Sequence, residues 1–193
     1  MHALPLYAQL INLFAAILLL LSFAMLAQRR VLSLIDLFAA QGLALAASTA
    51  IVAFGTGQHH LYWSAGLTLA LKVFLLPWIL YRLIRQLDVK WDVERLINVP
   101  TTMLIGIVLV VFAFNLAVPI SQLASTVTRA TLGIALATVM LSFLMMITRR
   151  NAISQVIGMM SMENRLILAA VGVAGMPLVV ELSTAALVLV VFV

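Results

Sequence analysis

Residues 6–27 read LYAQLINLFAAILLLLSFAMLA, and the basic string Gln28-Arg29-Arg30 follows directly. A helix that crosses about 30 Å of hydrocarbon needs about 20 consecutive apolar residues, so this run is long enough to span a bilayer. A cleaved signal peptide carries its basic residues ahead of the apolar run rather than behind it. The order found here predicts a retained membrane anchor whose N-terminus lies outside.

The composition extends this prediction to the whole chain. Of its 193 residues, 65% are hydrophobic and 9% are charged, and the mean hydropathy is +1.23. Soluble domains are about half apolar and about a quarter charged, which argues against a soluble enzyme, a nucleic-acid-binding module and a disordered chain. The formal charge of +5 is the difference between 11 Lys and Arg and 6 Asp and Glu, and the basic residues form no clustered face. We therefore expect a lipid bilayer around the chain and no nucleic-acid partner.

The residues that usually bind cofactors and metals are scarce. The chain has no cysteine and only three histidines, two of them adjacent. Disulfides, iron–sulfur ligation and thiolate zinc sites are excluded. The sequence also lacks a phosphate-binding glycine loop, a Ser-His-Asp set and a carboxylate pair at metal spacing. We predict no catalytic residue, no cofactor and no metal site within this chain.

Six further apolar runs follow the first, separated by charged or turn-forming residues. They predict an all-α, polytopic integral membrane helix bundle, because backbone exposed to lipid must hydrogen-bond within its own segment. We expect one transmembrane domain over residues 1–193 with about seven transmembrane helices. The predicted spans cover residues 6–27, 32–54, 61–84, 99–120, 127–148, 152–174 and 177–193.

The basic residues between the spans predict the orientation, because lysine and arginine are enriched on the cytoplasmic side of membrane proteins. With the N-terminus outside, the outer connections hold only Arg129. The inner side holds Arg29, Arg30, Arg82, Arg85, Lys90, Arg95, Arg149 and Arg150. This bias predicts an N-terminus outside and a C-terminus inside.

Lys72 lies close to the middle of the third predicted span. An ionisable residue at the bilayer centre costs roughly 2.5–3.5 kcal/mol on insertion scales, so it needs a partner or a function. Burial disfavours the charged ammonium and a nearby carboxylate favours it, so such a lysine can take up and release a proton. Pro77 follows five residues later and would free the carbonyl of Val73. The sequence leaves open whether Lys72 takes part in transport or is locked in a permanent ion pair.

The sixth span carries three polar residues in succession, Glu163, Asn164 and Arg165. Residues two apart on a helix do not face each other, so Glu163 and Arg165 cannot neutralise each other within this span. Each needs a partner on another helix or another subunit. Lys72 has the opposite charge to Glu163 and lies at a similar depth. We predict that the two residues form a pair.

Three other residues are secondary candidates for an ion pathway: Asp36, Glu181 and Gln41. The two carboxylates lie near span ends, where a hydrated helix-terminal carboxylate is an equally simple interpretation. Gln41 and Asn115 are expected to form hydrogen bonds between helices.

The start of the sixth span resembles a known family. Arg149-Arg150-Asn151, followed by Ile157-Gly158 and Asn164, is similar to the small NuoK-type subunit of respiratory complex I. The longer string from Asn151 to Asn164, NAISQVIGMMSMEN, looks like the corresponding span of hydrogenase-4 component E, and this resemblance covers most of the chain. Lys72 with Pro77 is also similar to a short string on the broken helices of antiporter-like subunits.

The resemblance implies a multi-pass, membrane-arm subunit of a complex in a prokaryotic cytoplasmic (inner) membrane, and one that holds no redox centre. Such subunits lie between antiporter-like membrane subunits and a peripheral hydrogenase or dehydrogenase module, and supply buried ionisable groups for proton or sodium movement. The NuoK-type pattern has a glutamate two residues after the glycine, where this chain has Met160. Glu163 lies about one turn further along the helix. The resemblance therefore implies that the proton-relay role of the family's glutamate belongs to Glu163 in this chain.

The main hypothesis is therefore a non-catalytic subunit of an oxidoreductase complex of the hydrogenase-4 or complex I type. Its proposed ion pathway contains Lys72, Glu163, Arg165 and Asn164. Two alternatives stay open at this point. One is a purely structural subunit whose charges pair permanently, and the other is an independent small-solute carrier.

Overall fold

All long elements in the described part of the chain are helices. The computed structural model describes residues 6–56, 60–87, 96–123 and 129–171. Their helices are α1 (Leu6–Ala27), α2 (Val31–Thr56), α3 (His60–Thr68), a π-helical segment (Leu69–Leu75), α4 (Leu76–Leu87), α5 (Val99–Leu123), α6 (Arg129–Thr148) and α7 (Ala152–Val171). Since α3, the π-helical segment and α4 continue without a break, these residues form six continuous helices. The predicted all-α fold is confirmed for them.

Four of these helices are long and apolar enough to cross a membrane. They contain the stretches Gln9–Ala27, Val31–Gly55, Leu61–Gln86 and Val99–Pro119. The apolar part of α6, Leu132–Thr148, is shorter. The predicted seventh span, residues 177–193, lies outside the described residues. The helix number of seven and the orientation of the termini stay predictions.

Helix α2 lies at the centre of the bundle. It packs against α1, against α7, and against the whole continuous helix formed by α3, the π-helical segment and α4. Its Leu34, Ile35 and Phe38 are completely buried and belong to a core that also contains Met25 of α1 and Ile157 of α7. Because burial of apolar surface does not drive association within lipid, this close packing contributes mainly van der Waals contact.

Helix α5 lies at the side of the bundle, where it packs on α6 and α1. One of its faces carries large apolar side chains that are each more than half exposed: Leu104, Ile107, Val108, Val111 and Phe112. In a bilayer such a face meets acyl chains or a neighbouring protein rather than water.

A glycine allows α7 to approach α6 closely. A Cβ atom added to Gly158 would lie 2.8 Å from Cγ of Met146 and 3.6 Å from the backbone oxygen of Ser142. Small residues at such contacts are the usual means by which membrane helices pack tightly. The glycine of the Ile157-Gly158 string therefore has a packing role in this chain.

The connection between α6 and α7 is fixed by three polar side chains. Arg149 is only 2% exposed, and its Nη2 donates to the carbonyl oxygens of Met25 at 2.7 Å and Leu26 at 3.3 Å in the last turn of α1. Asn151 caps α7, since its Oδ1 accepts the Ile153 N–H at 3.0 Å. Gln155 Nε2 donates to the carbonyl of Arg149 at 2.9 Å. The Arg-Arg-Asn string thus joins the ends of three helices.

The two neighbouring arginines differ in a way that the sequence does not show. Arg150 is exposed, as expected for a basic residue at a membrane surface, whereas Arg149 is buried at the end of α1. A cation at a helix C-terminus interacts favourably with the partial negative charge of the last carbonyl groups. Arg149 therefore stabilises the bundle in addition to any effect on topology.

Replacing Arg149 by alanine is expected to destabilise the protein strongly. Hydrogen bonds from a charged donor contribute about 1.5–3 kcal/mol, and the Met25 and Leu26 carbonyl groups would lose this donor. Arg150→Ala is the matched control, because an exposed substitution changes the free energy of unfolding by about 0.5 kcal/mol or less. Unfolding of both variants in detergent micelles measures the difference. Equal stability losses would contradict the assigned role of Arg149.

Candidate functional site

The helix that carries Lys72 is π-helical around this residue. The π-helical segment runs from Leu69 to Leu75, and the N–H of Leu76 bonds to the carbonyl of Leu71, five residues earlier. Pro77 follows at the second position of α4; it has no N–H, and its ring would collide with the carbonyl of Val73 in a regular α-helix. The loosening predicted one turn before Pro77 takes the form of a wider helical turn. Such turns occur frequently at functional sites.

Lys72 is buried inside the protein. Its side chain is 2% exposed, and Nζ donates a hydrogen bond to Oδ1 of Asn164 on α7 at 2.6 Å. Asn164 is itself completely buried. The hydrogen bond joins residues that are 92 positions apart in the sequence. A lysine in an apolar span thus turns toward protein and away from lipid.

The approach of α2 to Lys72 depends on a glycine. A Cβ atom added to Gly42 would lie 3.0 Å from Cβ of Lys72 and 3.4 Å from Cγ2 of Val73. The neighbouring residue Gln41 is completely buried, and its Oε1 accepts a hydrogen bond from Ser161 Oγ at 2.7 Å. Because Ser161 and Asn164 are three residues apart, they share a face of α7.

We refer to Gln41, Lys72, Ser161 and Asn164 as the polar cluster. Its members come from α2, the π-helical segment and α7, which meet at this point. Every member is at most 2% exposed. Two amide donors of the cluster, Nε2 of Gln41 and Nδ2 of Asn164, are buried and have no hydrogen-bond acceptor among the described residues. An unsatisfied buried polar group costs about 1–3 kcal/mol, so a hydrogen-bond partner for either amide group would stabilise the cluster.

The structure gives Asn164 a role that charge complementarity alone does not predict, since it accepts a hydrogen bond from Lys72. Sequence reasoning pairs Lys72 with Glu163 because the charges are opposite. The hydrogen bond described for Lys72 goes to the next residue, Asn164, while Glu163 is half-buried on α7. The Lys72–Glu163 pair stays a prediction. Arg165 belongs to α7, and its side chain lies outside the described residues, as does all of Glu181.

Of the remaining candidates, Gln41 belongs to the polar cluster, whereas Asn115 and Asp36 lie away from it. Gln41 makes a hydrogen bond between helices, as its position predicts. Asn115 does not: it is exposed, and its Nδ2 donates to the carbonyl of Val111 in the same helix. The prediction for Asn115 is therefore wrong. Asp36 is exposed near the start of α2 and accepts a hydrogen bond from the hydroxyl of Tyr81 on α4.

Two positions of the site escape sequence reasoning. Gly42 and Ser161 have small side chains that carry no distinctive chemical signal. Ser161 lies three residues before Asn164 on the same helix, and this spacing is the signal that could have identified it. Gly42 follows Gln41 directly, and only the packing of α2 on the π-helical segment explains it. Among the described residues, no group of three His, Asp or Glu is placed to hold a metal ion.

Gly42→Ala is expected to disturb the polar cluster. The added methyl group would press on Cβ of Lys72, which cannot move without its backbone, and overpacking of this kind costs about 1–3 kcal/mol. Gly66→Ala is the matched control, since an added Cβ there meets nothing within 4 Å. We expect a lower free energy of unfolding for the first variant and an unchanged or slightly higher one for the second. The same loss in both would show that Gly42 has no special packing role.

Comparisons with known proteins place the chain in a family. No protein-family model matches it, and no solved structure matches it significantly. The chain is 30% identical to the uncharacterized protein Rv0085 of Mycobacterium tuberculosis over 178 residues, which cover 91% of this chain and 81% of that protein. Identity at this level over nearly the whole length indicates common descent. The chain belongs to the same family as Rv0085.

Proposed function

We propose that this chain is an ion-path subunit of an inner-membrane oxidoreductase complex related to hydrogenase-4 and complex I. Lys72 exchanges protons within it, and Asn164 holds the lysine in place. The chain crosses the membrane seven times, with the N-terminus outside and the C-terminus inside. It catalyses no redox step itself. Its partners are antiporter-like membrane subunits and a peripheral hydrogenase or dehydrogenase module.

The observation that carries this proposal is the buried hydrogen bond from Lys72 to Asn164 beside a π-helical turn. An amide oxygen accepts a hydrogen bond from a charged ammonium and from a neutral amine alike. The contact can therefore survive both protonation states of the lysine. A contact that persists in both protonation states supports a role in which Lys72 gains and loses a proton. A lysine with a permanent structural charge would not need a partner of this kind.

Buried hydroxyl groups extend from the polar cluster along both helices. Ser64, Thr68 and Lys72 follow at intervals of four residues, and Ser154, Ser161 and Asn164 lie on α7; all six are buried. In the predicted topology, Ser64 lies on the outer side of Lys72 and Ser154 on the inner side of Asn164. At 1.5 Å per residue, these rows cover about 12 Å and about 15 Å. Together they approach the thickness of the hydrocarbon core, about 30 Å.

Buried polar groups without a hydrogen-bond partner, in the polar cluster and elsewhere on the helices that carry it, support proton transfer through water molecules. Gln41 Nε2, Asn164 Nδ2 and the hydroxyls of Ser48, Ser64 and Ser154 are buried with no hydrogen-bond partner among the described residues. Buried polar groups in proteins are usually satisfied by protein or by ordered water. A row of such groups beside an ionisable lysine is suited to a chain of water molecules that carries protons.

The assignment to this class of complex depends on the string from Asn151 to Asn164. The structure gives several of its residues specific tasks: Asn151 caps α7, Gly158 packs on α6, and Asn164 binds Lys72. The exposed apolar face of α5 offers a surface for a neighbouring membrane subunit. Both observations agree with a subunit inside a larger membrane assembly.

Substitution of Lys72 tests the proton-exchange role. In inverted membrane vesicles that contain the complex, Lys72→Met should lower the initial rate of proton translocation at least tenfold. Lys72→Arg should also lower it, because an arginine does not release its proton in proteins. The oxidoreductase activity of the peripheral module should persist in both variants. Lys90→Met removes the other lysine and should keep the translocation rate within twofold.

Two outcomes would contradict the role of Lys72. Full translocation with Lys72→Arg would mean that a fixed positive charge is sufficient. Loss of the whole complex from the membrane in both variants, measured by the amount of tagged chain, would favour the structural alternative.

Glu163→Gln tests the second group of the pathway in the same assay, with Glu94→Gln as its control. Normal translocation with Glu163→Gln would remove Glu163 from the pathway.

Isolation of the chain from its native membrane tests the proposed partners. A tagged full-length chain in mild detergent should co-purify with antiporter-like subunits and a peripheral redox module. Mass spectrometry of the purified material identifies these subunits. A [NiFe] large subunit among them would support the hydrogenase type, and a quinone-linked dehydrogenase the complex I type. Recovery of an active solute carrier without partners would overturn the proposal.

A further inference from the structure

The inner end of α4 forms a groove with an unusual combination of side chains. The groove has a volume of about 620 Å³ and is lined by Trp78, Tyr81, Arg82, Arg85 and Gln86. These residues are spaced three or four positions apart, so they occupy one face of the helix. We refer to it as the arginine groove. It contains no residue of the polar cluster and does not depend on the proposed ion pathway.

Its positive charge is not neutralised within the part of the chain that the structure describes. Arg82 and Arg85 are exposed, and neither has a carboxylate partner among those residues. The guanidinium carbon of Arg82 lies 5.6 Å from the ring centroid of Trp78, a distance typical of a cation–π contact. The carboxylate of Asp36 accepts a hydrogen bond from Tyr81. Both guanidinium groups line the groove at exposed positions, where an external anion can reach them.

The predicted topology places the arginine groove at the level of the lipid headgroups. It occupies the last turns of the apolar stretch Leu61–Gln86, which is long enough to cross a membrane. Tryptophan and tyrosine are enriched at the headgroup level, where one edge of the ring is apolar and the other is hydrated. Arginine side chains near helix ends extend toward the same level. Both kinds of residue meet in one groove here.

We infer that the arginine groove binds the phosphate-bearing headgroup of an anionic phospholipid. Arginine forms paired hydrogen bonds to phosphate oxygens, and two arginines one turn apart can contact the same phosphate. Trp78 and Tyr81 offer apolar ring surface beside the glycerol and upper acyl chain. Charge complementarity selects an anionic lipid over a neutral one.

Native mass spectrometry of the full chain with added lipid tests this inference. Delipidated protein in detergent is titrated with phosphatidylglycerol or phosphatidylcholine. The unmodified chain should retain phosphatidylglycerol at least fivefold more tightly. The double variant Arg82→Gln/Arg85→Gln should lose at least tenfold in phosphatidylglycerol affinity. The matched control is Arg29→Gln/Arg30→Gln, which removes the same charge from exposed arginines outside the groove and should change the affinity less than twofold.

The possible contrary results are distinct. Equal losses in the two double variants would show that the effect is general attraction to basic residues and would overturn the inference. Equal retention of phosphatidylcholine would do the same. Displacement of the lipid by millimolar inorganic phosphate would mean that the site recognises phosphate rather than the lipid. The variant Arg82→Lys/Arg85→Lys keeps the charge if the glutamine variant fails to fold, and should weaken binding at least threefold because lysine cannot form the paired hydrogen bonds.

Discussion

A charged lysine in the middle of a hydrophobic helix is the constraint on which the bundle depends. An ammonium group cannot face acyl chains at that depth without a large cost, so Lys72 must turn toward protein and find a polar partner. It reaches Asn164 on α7 across the surface of α2, where Gly42 leaves room for the passing side chain. Three elements that are far apart in the sequence are held together at this point.

Many hydroxyl groups of the described residues bond within their own helix, so they do not determine which helices are neighbours. Seven of them donate to the carbonyl four residues earlier: Ser22, Thr49, Thr68, Thr102, Thr138, Ser142 and Thr148. This local bonding satisfies a hydroxyl in lipid without a partner helix. The specific arrangement of the helices depends instead on the bonds of Lys72, Gln41, Tyr81 and Arg149, which cross between elements.

The sequence predicts helices well because charged and turn-forming residues separate its apolar runs. The position of Lys72 and the effect of Pro77 also follow from local rules, since depth in a span and a missing N–H are properties of one segment. The hydrogen bond from Lys72 to Asn164 does not follow from the sequence. Which residues of α7 face Lys72 depends on how α7 is rotated against α2, and this rotation is not a local property of one segment. Arg149 is a similar case, because its neighbour Arg150 has the same chemistry and only the end of α1 distinguishes them.

The π-helical segment has a consequence for how the gene can change. A π turn is equivalent to one residue inserted into an α-helix, and each residue turns a helix by about 100°. Loss of one codon in this stretch would restore a regular helix and swing everything after it by that angle. Trp78 and Arg82 would then point to another side of the bundle while Ser64 and Thr68 stayed in place. The length of this short stretch therefore couples the orientation of the arginines to the position of the lysine during evolution.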